Sequence, residues 1–298
     1  MRMTFYIRNI FMYFDRIGQL LLVVFFTMPL VTVQAANHYS VHQKLAALEA
    51  SSGGRLGISS IDTTNDQRIQ YHADQRFPIG STFKVLGVAA TLKRSMQDAQ
   101  LLQQTMMINK QDLTSWGPVT QKHLDQAMSI FDLSAAAIMY SDNAAIFLLI
   151  KKLGGPQEVI SFAHSIGDDT FSMNATLDNL SPTSTPAAMN KTLQKLALGN
   201  VLGIPQREQL ITWMKNNTTG NLRIRAGVPK SKGWVVADKT GSGHYGLTGD
   251  IAIIWPPNHH PIVVTIYFIQ KGKNAKSRPL IVAEATRILM NEFESRKQ

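Results

Sequence analysis

The chain has 298 residues, a formal net charge of +10 and no cysteine. It can therefore form no disulfide, zinc ribbon or thiolate–metal site, and its stability must come from a packed core. The basic residues are scattered and seldom neighbour aromatics, and the eight histidines show no H-E-x-x-H spacing. That pattern argues against a nucleic-acid groove and a zinc hydrolase, and it leaves an anionic wall polymer or lipid surface as a fitting neighbour. No metal or cofactor is expected.

Residues 1–35 place Arg2, Arg8 and Arg16 ahead of an apolar run from about Leu20 to Val33, followed by Val33-Gln34-Ala35. This order reads as a secretory signal peptide cleaved after Ala35, with Met12 as an alternative start. As an uncleaved anchor the run is shorter than the roughly 20 residues a span needs, and Pro29 interrupts it. Cleavage leaves 263 residues with 27 basic and 19 acidic side chains, a net +8 once the three arginines and Asp15 are removed. The mature chain then keeps no membrane span and is exported, periplasmic or secreted.

Residues 39–51 carry apolar positions at helical spacing, and "RLGISSIDT" (55–63) with "RIQYHA" (68–73) reads as a hairpin. In "FPIGSTFK" (77–84), Ser81 follows a glycine, as an N-cap would, and Phe83, Leu86, Val88, Ala89 and Leu92 continue a helix to about Ser95. Ser81 and Lys84 then share a face, so Lys84 can reach the Ser81 hydroxyl. The pair is either a cap with a bystander or a nucleophile with its base. From 80 to about 226 the signals are mainly helical: 131–140, 143–155 with its terminal Gly pair, and 186–200. "GWVVADKT", "DIAIIWPP" and "PIVVTIYFIQ" are β-rich, "NHH" (258–260) is a turn between two of them, and 279–294 is an amphipathic helix. Strands at both chain ends must pair across the helical insert. The expectation is an α+β fold: an antiparallel sheet flanked by terminal helices, plus an all-α lobe. Its α/β part would comprise 36–79 and 227–298, its lobe 80–226, in one catalytic domain over 36–298 with the site at the junction.

Two further polar islands fall near that junction: "YSDN" (140–143) between helices and "ADKTGSGHYG" (237–246) after a strand run. Alone, each suits a helix cap or a Gly-rich strand edge. In the order S-x-x-K, S-D-N, K-T-G they form the set found in class A β-lactamases and penicillin-binding proteins. Longer segments also resemble class A β-lactamases, among them "WGPVTQKHLDQAMSIFDLSAAAIMYSDNAA", "TPAAMNKTLQKLALGN" and "NTTGNLRIRAGVPKSKGWVVADKTGSG". The resemblance covers essentially everything after the signal peptide.

The resemblance implies roles. Ser81 would be acylated by a β-lactam or a D-Ala-D-Ala amide. Lys84 would take its proton if neutral or stabilise charge if protonated, and Ser141 would relay a proton to the leaving nitrogen. Asn143 would bind the substrate's side-chain amide, while Lys239, Thr240 and Arg223 would bind its carboxylate. The amides of Ser81 and Ser242, flanking Gly241, would form the oxyanion hole, and Trp116 would stand at the cleft mouth or serve only in packing. The partner is a small β-lactam or a peptidoglycan stem peptide, with no nucleic acid, and the protein is expected to be a monomer.

One part of the pattern is broken. Class A β-lactamases carry an E-x-x-L-N run whose Glu activates the deacylating water. Here the stretch is "GDDTFSMNATLDNLSPTSTPAAM" (167–189), several residues short, with no Glu from Val159 to Arg207. Asp168 and Asp169 fall in a structural turn, which leaves Asp178 as the substitute base. The expected function is a serine hydrolase that opens β-lactam rings through an acyl-enzyme on Ser81. The alternative is a penicillin-binding D-alanyl-D-alanine peptidase that deacylates slowly. A penicillin sensor lacks a signalling segment, and "DKTGSG" disfavours a serine glutaminase.

Overall fold

The computed structural model describes residues 40–174, 180–229 and 233–295. The proposed signal peptide and Asp178 lie outside them. In chain order the elements are α1 (Val41–Ser52), β1 (Arg55–Asp62), β2 (Gln67–Tyr71), β3 (Phe77–Pro78), α2 (Lys84–Ser95), β4 (Thr105–Met107), β5 (Ala127–Ser129), α3 (Ile130–Met139), α4 (Asn143–Leu153) and α5 (Pro156–Ser165). They continue with β6 (Thr183–Ser184), α6 (Pro186–Ala197), α7 (Ile204–Lys215), α8 (Ile224–Gly227), β7 (Val235–Gly243), β8 (Leu247–Trp255), β9 (Ile262–Ile269) and α9 (Pro279–Ser295).

Five antiparallel strands form one sheet in the order β2-β1-β9-β8-β7, so the two ends of the chain do pair. β8 and β9 are buried along nearly their whole length, because both sheet faces are covered; this explains their unbroken apolar runs. α1 and α9 share one core cluster with Leu56, Ile58, Ile254, Ile266 and Phe268. α6 lies on the other face, where Asn190 donates from its Nδ2 to Ser59 O and Val263 O, both at 3.0 Å. A larger cluster joins that face to α2–α5 and α7. The strands β4 and β5 interrupt the stretch read as helical; three residues each give too short a run for a period to register.

Ser81 does not cap α2. Residues Gly80–Phe83 form a 3₁₀ turn, and α2 begins at Lys84 without a side-chain cap bond. The turn is fixed from below instead: Thr82 Oγ1 donates to Ile79 O at 2.8 Å and lies 2.8 Å from the buried Tyr267 hydroxyl of β9. Because the Thr82 proton is committed to a carbonyl, the Tyr267 hydroxyl is the donor to Thr82.

A second fixed point lies between α3 and α4. Ser141 adopts φ +58°, a left-handed conformation that costs a β-carbon residue of order 1–3 kcal/mol. Asp142 holds it there. Its buried carboxylate accepts from Ala145 N (3.0 Å), so it caps α4, and also from Val119 N (3.0 Å), Thr120 N (2.9 Å) and Thr120 Oγ1 (3.0 Å). The backbone closes the knot through Asp142 N to Ala136 O and Asn143 N to Trp116 O.

The limbs 168–174 and 180–184 run side by side. Ser172 and Thr183 exchange backbone hydrogen bonds, and Asn174 N donates to Leu180 O. Asp168 is buried in the turn at its base, accepting from Thr170 and Ser184 hydroxyls, and Ile79 N donates to Pro182 O. The returning limb is thus pinned two residues before Ser81.

Asp142→Ala removes four hydrogen bonds to one charged group, each worth about 1.5–3 kcal/mol before relaxation. Denaturant unfolding is expected to show a loss of at least about 3 kcal/mol. A loss under about 1 kcal/mol would mean that Ser141 keeps its conformation without this knot.

Candidate active site

The edge strand β7 carries 237–243, so the motif lies within the strand rather than after it. Its backbone presses directly on the 79–82 turn. A Cβ on Gly80, which sits at φ +50°, would come within 2.8 Å of Ser242 O and 3.1 Å of Ser242 N, and one on Gly241 would collide with Ile79 O. Only glycine permits this approach. It brings the Ser81 and Ser242 backbones to the same end of a cleft of about 340 Å³. Ser81, Ser141, Asn143, Arg223, Thr240 and Ser242 line the cleft. Trp116, 54% exposed, lines its mouth and donates from its indole to Tyr140 O at 3.3 Å.

Lys84 and Lys239 are buried beneath this cleft. Lys84 Nζ lies within hydrogen-bond distance of Ser141 O (2.5 Å), Asn143 Oδ1 (2.6 Å) and, at longer range, Ser141 Oγ (3.3 Å). Among the described residues no hydrogen bond joins it to the Ser81 hydroxyl, so the one-turn spacing brings the pair to one site without bonding them. Lys239 Nζ approaches Ser141 Oγ from the other side at 3.0 Å and also donates to Thr240 O. One hydroxyl therefore sits between two lysine nitrogens. With Lys239 donating to one lone pair of Ser141 Oγ, its own proton can face a third group.

The electrostatics follow from dryness. Burial pushes Lys84 well below the ordinary lysine range, Lys239 adds repulsion, and Asp142 opposes both. Asp142 cannot pair with it directly, because its oxygens are committed to the knot. Burial lowers Lys239 to about 7 against the attraction of Asp238 and Asp250. A free amine here is a competent proton acceptor near neutral pH.

Arg223 is also buried. Its guanidinium donates to Gly241 O (2.7 Å), Gly249 O (2.5 Å) and Ser242 Oγ (2.6 Å), so its position is set by β7 and β8. Asp250 lies in β8 opposite Thr240 and accepts from Ile224 N; burial, then Asp238, raises its pKa well above the carboxylate range.

The sequence reading missed Thr219, which lines the cleft beside Thr240, and the chain behind it. Thr219 Oγ1 lies 2.5 Å from Thr240 Oγ1 and donates to Asn217 Oδ1 at 2.8 Å; Asn217 Nδ2 donates to Asp238, as does Arg225 Nε at 2.5 Å. The threonines of "NTTG" carried no helical or strand period to mark them. No group of three or more His, Asp or Glu among the described residues could hold a metal.

The chain is 48% identical to β-lactamase CTX-M-97 of Escherichia coli over 93% of this chain and 98% of that one. It is 48% identical to β-lactamase OXY-2 of Klebsiella oxytoca over 84% of this chain and 88% of that one. A solved structure of a β-lactamase from Burkholderia phymatum superimposes with a TM-score of 0.80 at 42% identity, covering 84% of this chain and 97% of that one. A family profile described as the beta-lactamase enzyme family matches residues 40–293. The chain belongs to the β-lactamase enzyme family.

Proposed function

We propose that this protein is a serine hydrolase that opens β-lactam rings through an acyl-enzyme on Ser81. The observation that carries the reading is the Ser141 hydroxyl held between two buried lysine nitrogens at the floor of the cleft that Ser81 lines. Relatives named β-lactamases at this level of identity support it.

In this reading Ser81 Oγ attacks the lactam carbonyl carbon and its proton passes to neutral Lys84. The oxyanion takes hydrogen bonds from the amides of Ser81 and Ser242, worth about 3–4 kcal/mol each. As the C–N bond breaks, the ring nitrogen takes the Ser141 proton, which a charged lysine replaces. Asn143 Oδ1 anchors Lys84 and leaves the Asn143 amide NH₂ for the substrate's side-chain carbonyl. Arg223, Lys239 and Thr240 bind the carboxylate; Trp116 packs on the acyl side chain.

Hydrolysis of the acyl-enzyme is the slow half. No Glu occurs from Val159 to Arg207, and general-base catalysis contributes about 10²–10⁴-fold, some 3–5 kcal/mol of barrier. A second reading therefore stands beside the first: a D-alanyl-D-alanine peptidase that penicillins acylate persistently. Release of D-Ala from a stem peptide would favour it over ring opening as the main activity. Residues 1–35 are proposed as a cleaved export signal, and no described helix is long and apolar enough to cross a membrane. N-terminal sequencing of exported protein should begin at Ala36; retention of Met1 or Met12 would contradict this.

Mixing with a penicillin is expected to give a burst of about one equivalent and then a slow steady rate. Intact mass should show an adduct lasting minutes or longer, and Ser81→Ala should lose it entirely. If the parent shows no burst and Asp178→Asn lowers turnover by 10²-fold or more, Asp178 is the deacylating base. Undiminished labelling of Ser81→Ala would place the nucleophile elsewhere.

The pH dependence has a defined sign. Lys239 is charged below about 7 and neutral above, so the carboxylate anchor weakens as pH rises. For a carboxylate-bearing substrate, kcat/KM, which reports the free enzyme, should fall on the alkaline side with a midpoint near 7. The esterified substrate should lack that limb. An identical limb for both substrates would remove Lys239 from the anchor.

A further inference from the structure

Four side chains behind the cleft fix the direction of a hydroxyl proton. Asn217 is buried, and its amide orientation is not ambiguous: the backbone Thr219 N donates to Asn217 Oδ1 at 3.1 Å, while Asn217 Nδ2 points to Asp238 Oδ2 at 2.8 Å. Oδ1 accepts only, so at 2.8 Å the Thr219 hydroxyl must be the donor to it. A hydroxyl has one proton. In the 2.5 Å contact between Thr219 Oγ1 and Thr240 Oγ1, Thr240 is therefore the donor.

We propose that Thr219 is a positioning residue that turns the Thr240 proton away from the cleft and thereby sets how strongly the site grips a substrate carboxylate. The inference rests on the reading of Thr240 as a carboxylate anchor. In the free enzyme Thr240 presents only lone pairs to the cleft, the wrong polarity for an anion. A carboxylate is bound by Thr240 only after two hydroxyls reverse: Thr240 turns its proton to the ligand, and Thr219 turns its proton to Thr240. Asn217 Oδ1 then keeps the Thr219 N–H alone. One internal hydrogen bond is given up for each carboxylate gained, so Thr240 contributes less than an unrestrained hydroxyl would. Arg223 and Lys239, which need no such reversal, supply the rest of the grip.

The test is a double-mutant cycle on the mature protein with a carboxylate-bearing β-lactam. Thr219→Val keeps the shape and removes the hydroxyl, leaving the Thr240 proton free to face the cleft. It is expected to lower KM about 2–10-fold, the net worth of one hydrogen bond, with kcat for acylation unchanged, because the anchor acts on ground and transition state alike. Thr240→Val is expected to raise KM by a larger factor in the Thr219→Val background than in the parent. Thr219→Ser retains the hydroxyl and should behave as the parent. Strict additivity of the two changes, or a rise in KM for Thr219→Val, would overturn the inference. So would Thr219→Ser matching Thr219→Val, since packing rather than the proton would then be responsible. Thr240→Val without effect in either background would instead remove Thr240 from the anchor, and this inference with it.

Discussion

Two lysine nitrogens on one buried hydroxyl is the arrangement on which the site depends. Ser141 Oγ lies 3.0 Å from Lys239 Nζ and 3.3 Å from Lys84 Nζ, and among the described residues neither nitrogen forms an ion pair with a carboxylate. Two ammonium groups this close in a dry site repel strongly. The site therefore favours a state in which one nitrogen is neutral. In the proposed mechanism that single constraint would supply both halves of the acylation chemistry: an amine able to take the Ser81 proton and a hydroxyl whose own proton is available to the leaving nitrogen.

The cost of the arrangement is borne by the scaffold. Ser141 sits in a left-handed conformation, and the Asp142 carboxylate holds it by collecting donors from two separate segments, 119–120 and α4. On the opposite wall, Gly80 and Gly241 let the Ser81 turn lie on β7, while Tyr267 and Thr82 brace that turn from inside the sheet. Strain and buried charge are thus concentrated where the sheet meets the helices.

Much of this was legible in the residues. The runs that became β1, β2, β8, β9 and α9 declared themselves by period and apolarity, and the pairing of the chain ends followed from strands flanking a helical insert. The three polar islands were visible because each interrupts an apolar pattern, and they do meet around the cleft. Ser81 also offered a cap, which the structure does not form, because a 3₁₀ turn and a helix start share the same Gly-Ser cue. The one-turn spacing of Ser81 and Lys84 suggested a direct bond, whereas Asn143 and Ser141, almost sixty residues away, hold the Lys84 nitrogen. Thr219, Asn217, Asp142 and Tyr267 act through long-range contacts that no local period records.

The central claim is that the dry site and Lys239 hold the Lys84 amine well below the ordinary lysine range. The direct measurement is an NMR titration of ¹³Cε-labelled lysine in the mature protein, with the Lys84 signal assigned from Lys84→Arg. The account predicts a midpoint well below that of exposed lysines, because the site is dry and Lys239 repels a second charge. A Lys84 signal that stays protonated to pH 10 would contradict it.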